Sequence, residues 1–124
     1  MATQFFKCPI CGNVVMKVVN AGVPVVCCGK PMVELTANTV DASNEKHLPV
    51  VQFLEGNKIR VEVGSVAHPM LPEHYIAFIY VELPNGGIRV DLKDSPVAEI
   101  YIGEEKPIAV YEYCNLHGLW KTEL

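Results

Sequence analysis

The feature that most constrains this chain is a set of four cysteines close to its start. They form a Cys8-x-x-Cys11 pair and, after a gap of 15 residues, an adjacent Cys27-Cys28 pair. A segment this short buries little apolar surface, and units below about 40 residues usually depend on a metal, a disulfide or a partner to fold. Each pair is followed by a glycine that permits a tight turn. The pattern predicts a metal-stapled N-terminal domain over residues 1–36.

The spacing of these cysteines leaves the identity of the metal open. Four thiolates suit a tetrahedral zinc or iron site. A zinc ribbon normally repeats C-x-x-C in both halves, whereas the adjacent Cys27 and Cys28 are expected to bend the second half differently and to distort the tetrahedron. With four protein ligands the site can hold structure or carry an electron, but it offers no obvious place for a substrate.

Composition narrows the class of protein. Of 124 residues, 50% are hydrophobic and 19% are charged, which is typical of a globular chain. The net charge of −4, without a basic block, predicts no nucleic-acid binding. The N-terminus does not resemble a signal peptide, and no segment approaches the roughly 20 apolar residues that span a bilayer. We therefore expect a cytoplasmic protein without a membrane partner, in which five cysteines indicate metal rather than disulfides.

Residues 37–124 are predicted to form a β-sandwich. Alternating polar and apolar residues, or apolar runs rich in β-branched and aromatic side chains, recur between turn sequences. Turns are expected at residues 55–58 and 84–87. No run has helical periodicity, so the chain is predicted to be all-β. The predicted strands are Lys58–Val63, Ile76–Leu83, Ile88–Leu92, Val97–Ile102 and, as the last strand, Ile108–Tyr113.

A second group of metal-binding residues follows in this domain. The chain has four histidines, and its fifth cysteine, Cys114, precedes His117 by three positions. The other histidines are His47, just before a strand, and His68 and His74, in a loop between two predicted strands. Strand ends and loops can converge at one pole of a sandwich, and imidazoles with one thiolate suit iron, copper or zinc.

Two kinds of site remain open for these ligands. A copper electron-transfer site needs two histidines, one cysteine and a weak axial methionine. No methionine follows His117, however, and two histidines would be left over. The alternative is a six-coordinate iron with four imidazoles and one thiolate, which leaves one position open for catalysis.

Taken together, the motifs resemble those of the desulfoferrodoxin family, the two-iron class of superoxide reductases. They follow the family's order along essentially the whole chain and account for every cysteine and histidine. The matching motifs are Cys8-x-x-Cys11, Cys27-Cys28, Glu45-Lys46-His47-x-Pro49, His68-Pro69, Glu73-His74-Tyr75 and Cys114-Asn-x-His117-Gly118.

The resemblance implies two iron ions per chain, one bound by the four N-terminal cysteines, and no organic cofactor. It also implies a desulforedoxin-like first domain, an immunoglobulin-like sandwich for the second, and a homodimer. The catalytic iron would have Cys114 as its axial ligand, and His117 matches the family histidine that binds through Nδ1. The equatorial ligands would be His47, His68, His74 and His117.

The implied reaction is the reduction of superoxide to hydrogen peroxide, with an external electron donor such as rubredoxin. Lys46 would supply a local positive charge for the superoxide anion, and Glu45 would bind the ferric ion. Two other functions remain open: a plain electron carrier, which needs no open coordination position, and a zinc-ribbon binding module without redox activity. Binding of azide to the iron would distinguish a reductase from a plain electron carrier. A colourless preparation that contains only zinc would favour the zinc-ribbon module.

Overall fold

The computed structural model of the chain describes residues 3–40, 42 and 44–124. It divides into two compact units with the boundary between Thr36 and Ala37. As predicted, the architecture is almost entirely β. Within the described ranges, no helix has the length and hydropathy needed to cross a bilayer.

The first unit consists of short antiparallel strands with the cysteines at strand ends and in turns. In chain order the strands are β1 (Phe5–Lys7), β2 (Val14–Met16), β3 (Val26–Cys27), β4 (Lys30–Pro31) and β5 (Val33–Glu34). One sheet has the order β2-β1-β5, and β3 pairs with β4 in a separate hairpin. Few large side chains are buried in this unit, chiefly Phe5, Cys8 and Met32. So small a core is consistent with a unit that depends on its metal.

The hairpin between β3 and β4 explains why the second cysteine pair is adjacent. Cys27 pairs with Lys30, so Cys28 and Gly29 form a two-residue turn. Both have positive φ, +54° and +72°. Two-residue hairpins favour such turns because their twist matches that of the strands. A cysteine in the left-handed region costs about 1 kcal/mol, and the turn brings its thiol to the same end of the unit as Cys27.

The second unit is a sandwich of two antiparallel sheets. Its elements are α1 (Asn44–His47), β6 (Pro49–Leu54), β7 (Lys58–Val63), β8 (Ile76–Leu83), β9 (Gly86–Asp91), β10 (Val97–Tyr101), β11 (Ala109–Cys114) and β12 (Gly118–Glu123). The first sheet has the order β10-β7-β6, and the second β12-β11-β8-β9. Seven strands divided three and four correspond to the predicted immunoglobulin-like sandwich.

The core lies between these sheets and contains alternate residues of their strands. Strand β7 shows the pattern most clearly, with its three apolar residues fully buried and its polar residues turned outward. A register shift where β11 passes β8 allows both Ile76 and Cys114 to enter the core. The buried core residues are Ile59, Val61, Val63, Ile76, Ile79, Val81, Ile100, Ile102, Val110 and Cys114.

Two sequence-based expectations were wrong. The last strand is not the one that ends before Cys114, because the chain turns at residues 115–117 and returns as β12, paired with β11 along its whole length. A helix was not predicted, yet Asn44–His47 forms one helical turn that carries Glu45, Lys46 and His47. A single turn is too short to show a helical period, and it depends on tertiary contacts.

Candidate metal centres

The four N-terminal cysteines form a compact cluster. The sulfurs of Cys8, Cys11, Cys27 and Cys28 all lie within 4.8 Å of one another. The Cys11 and Cys27 sulfurs are 3.6 Å apart. Bonds of about 2.3 Å to one tetrahedral ion would place sulfurs about 3.8 Å apart. The cluster therefore has the spacing of a closed four-thiolate centre.

Backbone groups around Cys8 favour its thiolate form. The N–H groups of Ile10 and Cys11 each donate to the Cys8 sulfur at 3.4 Å. The donation from Cys11 is the main cause that lowers the pKa of the Cys8 thiol to about 6. Asn13 donates its backbone N–H to the Cys11 sulfur and its side-chain amide to the Cys27 sulfur. Because metals bind thiolates rather than thiols, these donors suit a metal ligand set.

In the second unit the four histidines form a closed ring. Neighbouring imidazoles meet edge to face, with centroids 4.9 Å apart for His47 and His68 and 4.6 Å apart for His68 and His74. The ring closes through His74 and His117 at 5.1 Å and through His117 and His47 at 4.8 Å. Four residues that span 70 positions of the sequence are thus brought to one place.

The cysteine lies close to the axis of this ring. Its sulfur is 3.5 Å from His68 Nε2 and 3.9 Å from His117 Nδ1, and these two imidazoles are opposite members of the ring. The donor atoms of His47, His74, Cys114 and His117 lie within 4.8 Å of one another. His117 Nδ1 is 3.0 Å from His47 Nε2. Bonds of about 2.1 Å to one ion would place nitrogens at right angles about 3.0 Å apart, so the spacing fits a shared metal and the inward atom of His117 is Nδ1.

Two of the imidazoles are held in a metal-binding state. His68 Nδ1 lies 2.7 Å from the carbonyl oxygen of Pro69, which fixes the proton on that nitrogen and leaves Nε2 facing Cys114. Burial lowers the pKa of His68 to about 4, so the imidazole of His68 is neutral at pH 7. His74 Nε2 is buried and has no hydrogen-bond partner among the described residues. Buried polar atoms are nearly always paired, so this nitrogen fits a coordinated ion.

The two charged residues before His47 share a helical turn with it. Glu45 and Lys46 lie on the helical turn α1, and both are exposed, whereas His47 is buried. The positive charge of Lys46 is one of the causes, after burial and His117, that lower the pKa of His74. The charge of Lys46 therefore acts on His74.

Two residues that support the site were not found by sequence reasoning. Asn115 accepts a hydrogen bond from the Tyr75 N–H and donates one to the Glu73 carbonyl, which holds the backbone on both sides of His74. Trp120 stacks on the His47 ring at 4.9 Å and donates Nε1–H to the carbonyl of His117. The position of Asn115, in a turn between Cys114 and His117, could have indicated its role from the sequence. Nothing in the sequence indicated the role of Trp120.

A third residue that was not identified from the sequence is a glutamate buried in the core. Glu112 lies two positions before Cys114 on the inward face of β11 and is fully buried. No described residue donates a hydrogen bond to either of its oxygens. Burial raises the pKa of this carboxyl to about 9, so it is protonated at neutral pH.

Comparison with known proteins places both units in one family. The family model for desulfoferrodoxin matches residues 39–123, and the model for the desulfoferrodoxin N-terminal domain matches residues 1–35. The chain belongs to the desulfoferrodoxin family. A desulfoferrodoxin homolog of Archaeoglobus fulgidus is 46% identical over 96% of this chain and 95% of its own length, and the desulfoferrodoxin of Desulfarculus baarsii is 41% identical over 97% and 95%. The crystal structure of the superoxide reductase from Treponema pallidum matches with a TM-score of 0.82 and 34% identity, covering 99% of this chain and 100% of that one.

This desulfoferrodoxin has donor sets for two iron centres. The four-cysteine cluster is a closed tetrahedral set, and the ring of imidazoles with one thiolate is a mixed set that suits iron. The orphaned nitrogen of His74, the fixed proton on His68 and the thiolate-directed N–H groups around Cys8 all fit bound metal.

Proposed function

We propose that this desulfoferrodoxin is a superoxide reductase that converts superoxide to hydrogen peroxide at the His47, His68, His74, Cys114 and His117 iron site. The observation that carries the proposal is the closed ring of four imidazoles with a thiolate on its axis. Five protein ligands leave a six-coordinate ion one position for a small molecule. Relatives and solved structures named superoxide reductase support the same reaction.

The ligands have distinct tasks in this proposal. The four imidazoles would bind the ion, and the buried Cys114 would be the ligand that adds negative charge to the site. Burial raises the pKa of the Cys114 thiol, and N–H groups of His117 and Leu116 that point at the sulfur oppose that shift. These donors stabilise the thiolate in the apolar surroundings of the core.

Lys46 brings the substrate to the site. Superoxide is an anion and the chain has a net charge of −4, so a local field must outweigh the global one. Charge screening acts over about 8–10 Å at ordinary ionic strength, which makes a lysine at the rim more effective than distant carboxylates. Glu45, its neighbour on the same turn, is the candidate ligand for the ferric state.

Iron held by these five residues would supply the one electron that superoxide needs to become hydrogen peroxide, and water would supply the two protons. Each turnover therefore consumes an electron, and the protein requires a redox partner. We propose a rubredoxin as this donor, since the resemblance implies it. Reduced rubredoxin should then return the ferric protein to the ferrous state.

We also propose that the working form is a cytoplasmic homodimer. None of the five cysteines forms a disulfide, which suits a reducing compartment. The first unit exposes many large apolar side chains, and such surfaces commonly mark protein contacts. They include Ile10, Val18, Val19, Val23, Val26 and Val33. Sedimentation of the iron-loaded chain tests the dimer, and a monomer at micromolar concentration would contradict it.

Product stoichiometry tests the proposed reaction. Ferrous protein receives a known amount of superoxide by pulse radiolysis, and the peroxide and dioxygen formed are measured. A reductase yields one peroxide for each superoxide and no dioxygen, with one site oxidised per event. A dismutase yields half as much peroxide together with dioxygen, and an electron carrier with no open position reacts slowly or not at all. Metal analysis of the same sample should give two irons per chain, and a zinc-only sample would contradict the proposal.

A further inference from the structure

The turn that follows β7 contacts the helical turn α1 through backbone atoms. The Gly64 N–H donates to the Leu48 carbonyl at 3.0 Å, and the Val66 N–H donates to the Glu45 carbonyl at 3.0 Å. The Ser65 hydroxyl donates to the same Glu45 carbonyl at 3.3 Å. Three hydrogen bonds therefore tie residues 64–66 to the segment that carries Glu45, Lys46 and His47.

Only glycine fits at the first position of this turn. Gly64 is buried and has a φ of +80°, a conformation in which a side chain is strained. A Cβ there would lie 2.7 Å from the Glu45 carbonyl oxygen, 2.8 Å from the Lys46 carbonyl carbon and 2.6 Å from the Val66 oxygen. These are backbone atoms, so no side-chain rotation could relieve the overlap.

We propose that Gly64 is a positioning residue for Lys46: by allowing two backbones to meet, it sets where α1 holds the lysine relative to the ring of histidines. The inference rests on the proposed function, because it gives the position of Lys46 a role in the reaction with superoxide.

The chain offers a matched control for this position. Gly56, in the hairpin between β6 and β7, has a φ of +79°, yet a Cβ there would meet nothing closer than Lys58 Cε at 3.8 Å. Gly56→Ala and Gly64→Ala therefore incur the same backbone strain, and only Gly64→Ala displaces the Glu45–Lys46 backbone. Differences between the two variants report on that contact.

The test uses iron-loaded full-length protein with two readouts. The first is the rate with superoxide at low and high salt, and the second is deuterium exchange in the peptides that cover residues 44–48. Gly64→Ala should lose about tenfold in rate at low salt, lose its salt dependence as Lys46→Ala does, and exchange faster at residues 44–48. Gly56→Ala should match the wild type in both readouts. The double variant Lys46→Ala/Gly64→Ala should be no slower than Lys46→Ala alone, because both changes act through one charge.

Each outcome decides a separate question. Equal rates and equal exchange in Gly64→Ala and Gly56→Ala would overturn the inference, as would additive losses in the double variant. If Gly64→Ala fails to fold or to retain two irons, Ser65→Ala replaces it, with Ser95→Ala as its control. Ser65→Ala should then lose about twofold in rate, and a rate equal to that of Ser95→Ala would overturn the inference. A wild-type protein that does not reduce superoxide would instead refute the proposed function, and faster exchange in Gly64→Ala would still establish that Gly64 fixes the segment.

Discussion

Replacing Glu112 by glutamine should remove a large pH dependence of stability. Burial without a hydrogen-bond donor raises the pKa of this carboxyl from 4.5 to about 9. Between these values the native chain retains a proton that the unfolded chain has released. Stability therefore falls as pH rises through this window, by about 1.4 kcal/mol for each pH unit.

The size of the effect follows from the width of the window. At pH 7 the wild-type protein has lost about 3 kcal/mol relative to its stability near pH 4.5 through this one group. Glutamine has a similar shape and does not titrate. The unpartnered amide should cost a constant amount at every pH. The free energy of unfolding of Glu112→Gln minus that of wild type should consequently increase by about 1.4 kcal/mol for each unit by which the pH is raised.

Urea unfolding of the iron-loaded proteins at pH 5, 6, 7 and 8, followed by far-ultraviolet circular dichroism, measures this slope. Glu99→Gln is the matched control, because Glu99 is an exposed carboxylate on strand β10 of the same unit. A difference between Glu112→Gln and wild type that stays constant with pH, or that follows the Glu99→Gln difference, would refute the reasoning that burial keeps Glu112 protonated.

Three further changes test the two centres. Lys46→Ala should slow the reaction with superoxide about tenfold at low salt and flatten its salt dependence, and an unchanged rate and slope in pulse radiolysis would remove Lys46 from the mechanism. Cys11→Ser should remove one iron by metal analysis and leave activity if the four-cysteine centre is a structural staple, whereas loss of activity in a folded dimer would show that it passes electrons. Asn115→Ala removes two hydrogen bonds around His74, worth about 2 kcal/mol together, and should speed the loss of iron to a chelator, with Asn115→Asp intermediate because it keeps the acceptor for Tyr75. Equal chelation rates in all three proteins would exclude this clamp.

The strands that were predicted correctly are those whose sequence shows which face is buried. Lys58–Val63 alternates because one face meets the core and the other meets water. Gly118–Glu123 was missed because Leu119 and Trp120 are buried on opposite faces of β12, so that the strand begins with two adjacent apolar residues and shows no alternation. The helical turn at Asn44–His47 is held by contacts with Gly64–Val66, about 20 positions away. No local sequence pattern therefore predicts this turn.

The candidate metal ligands were predictable because their side-chain chemistry is rare and their order matches a known family. The residues that position these ligands could not be predicted, because their roles depend on contacts between distant parts of the chain. Asn115 reaches Tyr75 across 40 positions, and Gly64 meets the backbone of Glu45. Glycine and asparagine are common in turns, so only the fold reveals which of them support a ligand.

The stack of Trp120 on His47 gives the protein an optical probe of its own catalytic centre. Trp120 is the chain's single tryptophan, and its indole touches the ring of one ligand and the carbonyl of another. A paramagnetic ion bound to His47 would quench the excited indole over so short a distance. Tryptophan emission should therefore decrease as iron enters the histidine site, which allows its loading to be followed in real time without a label.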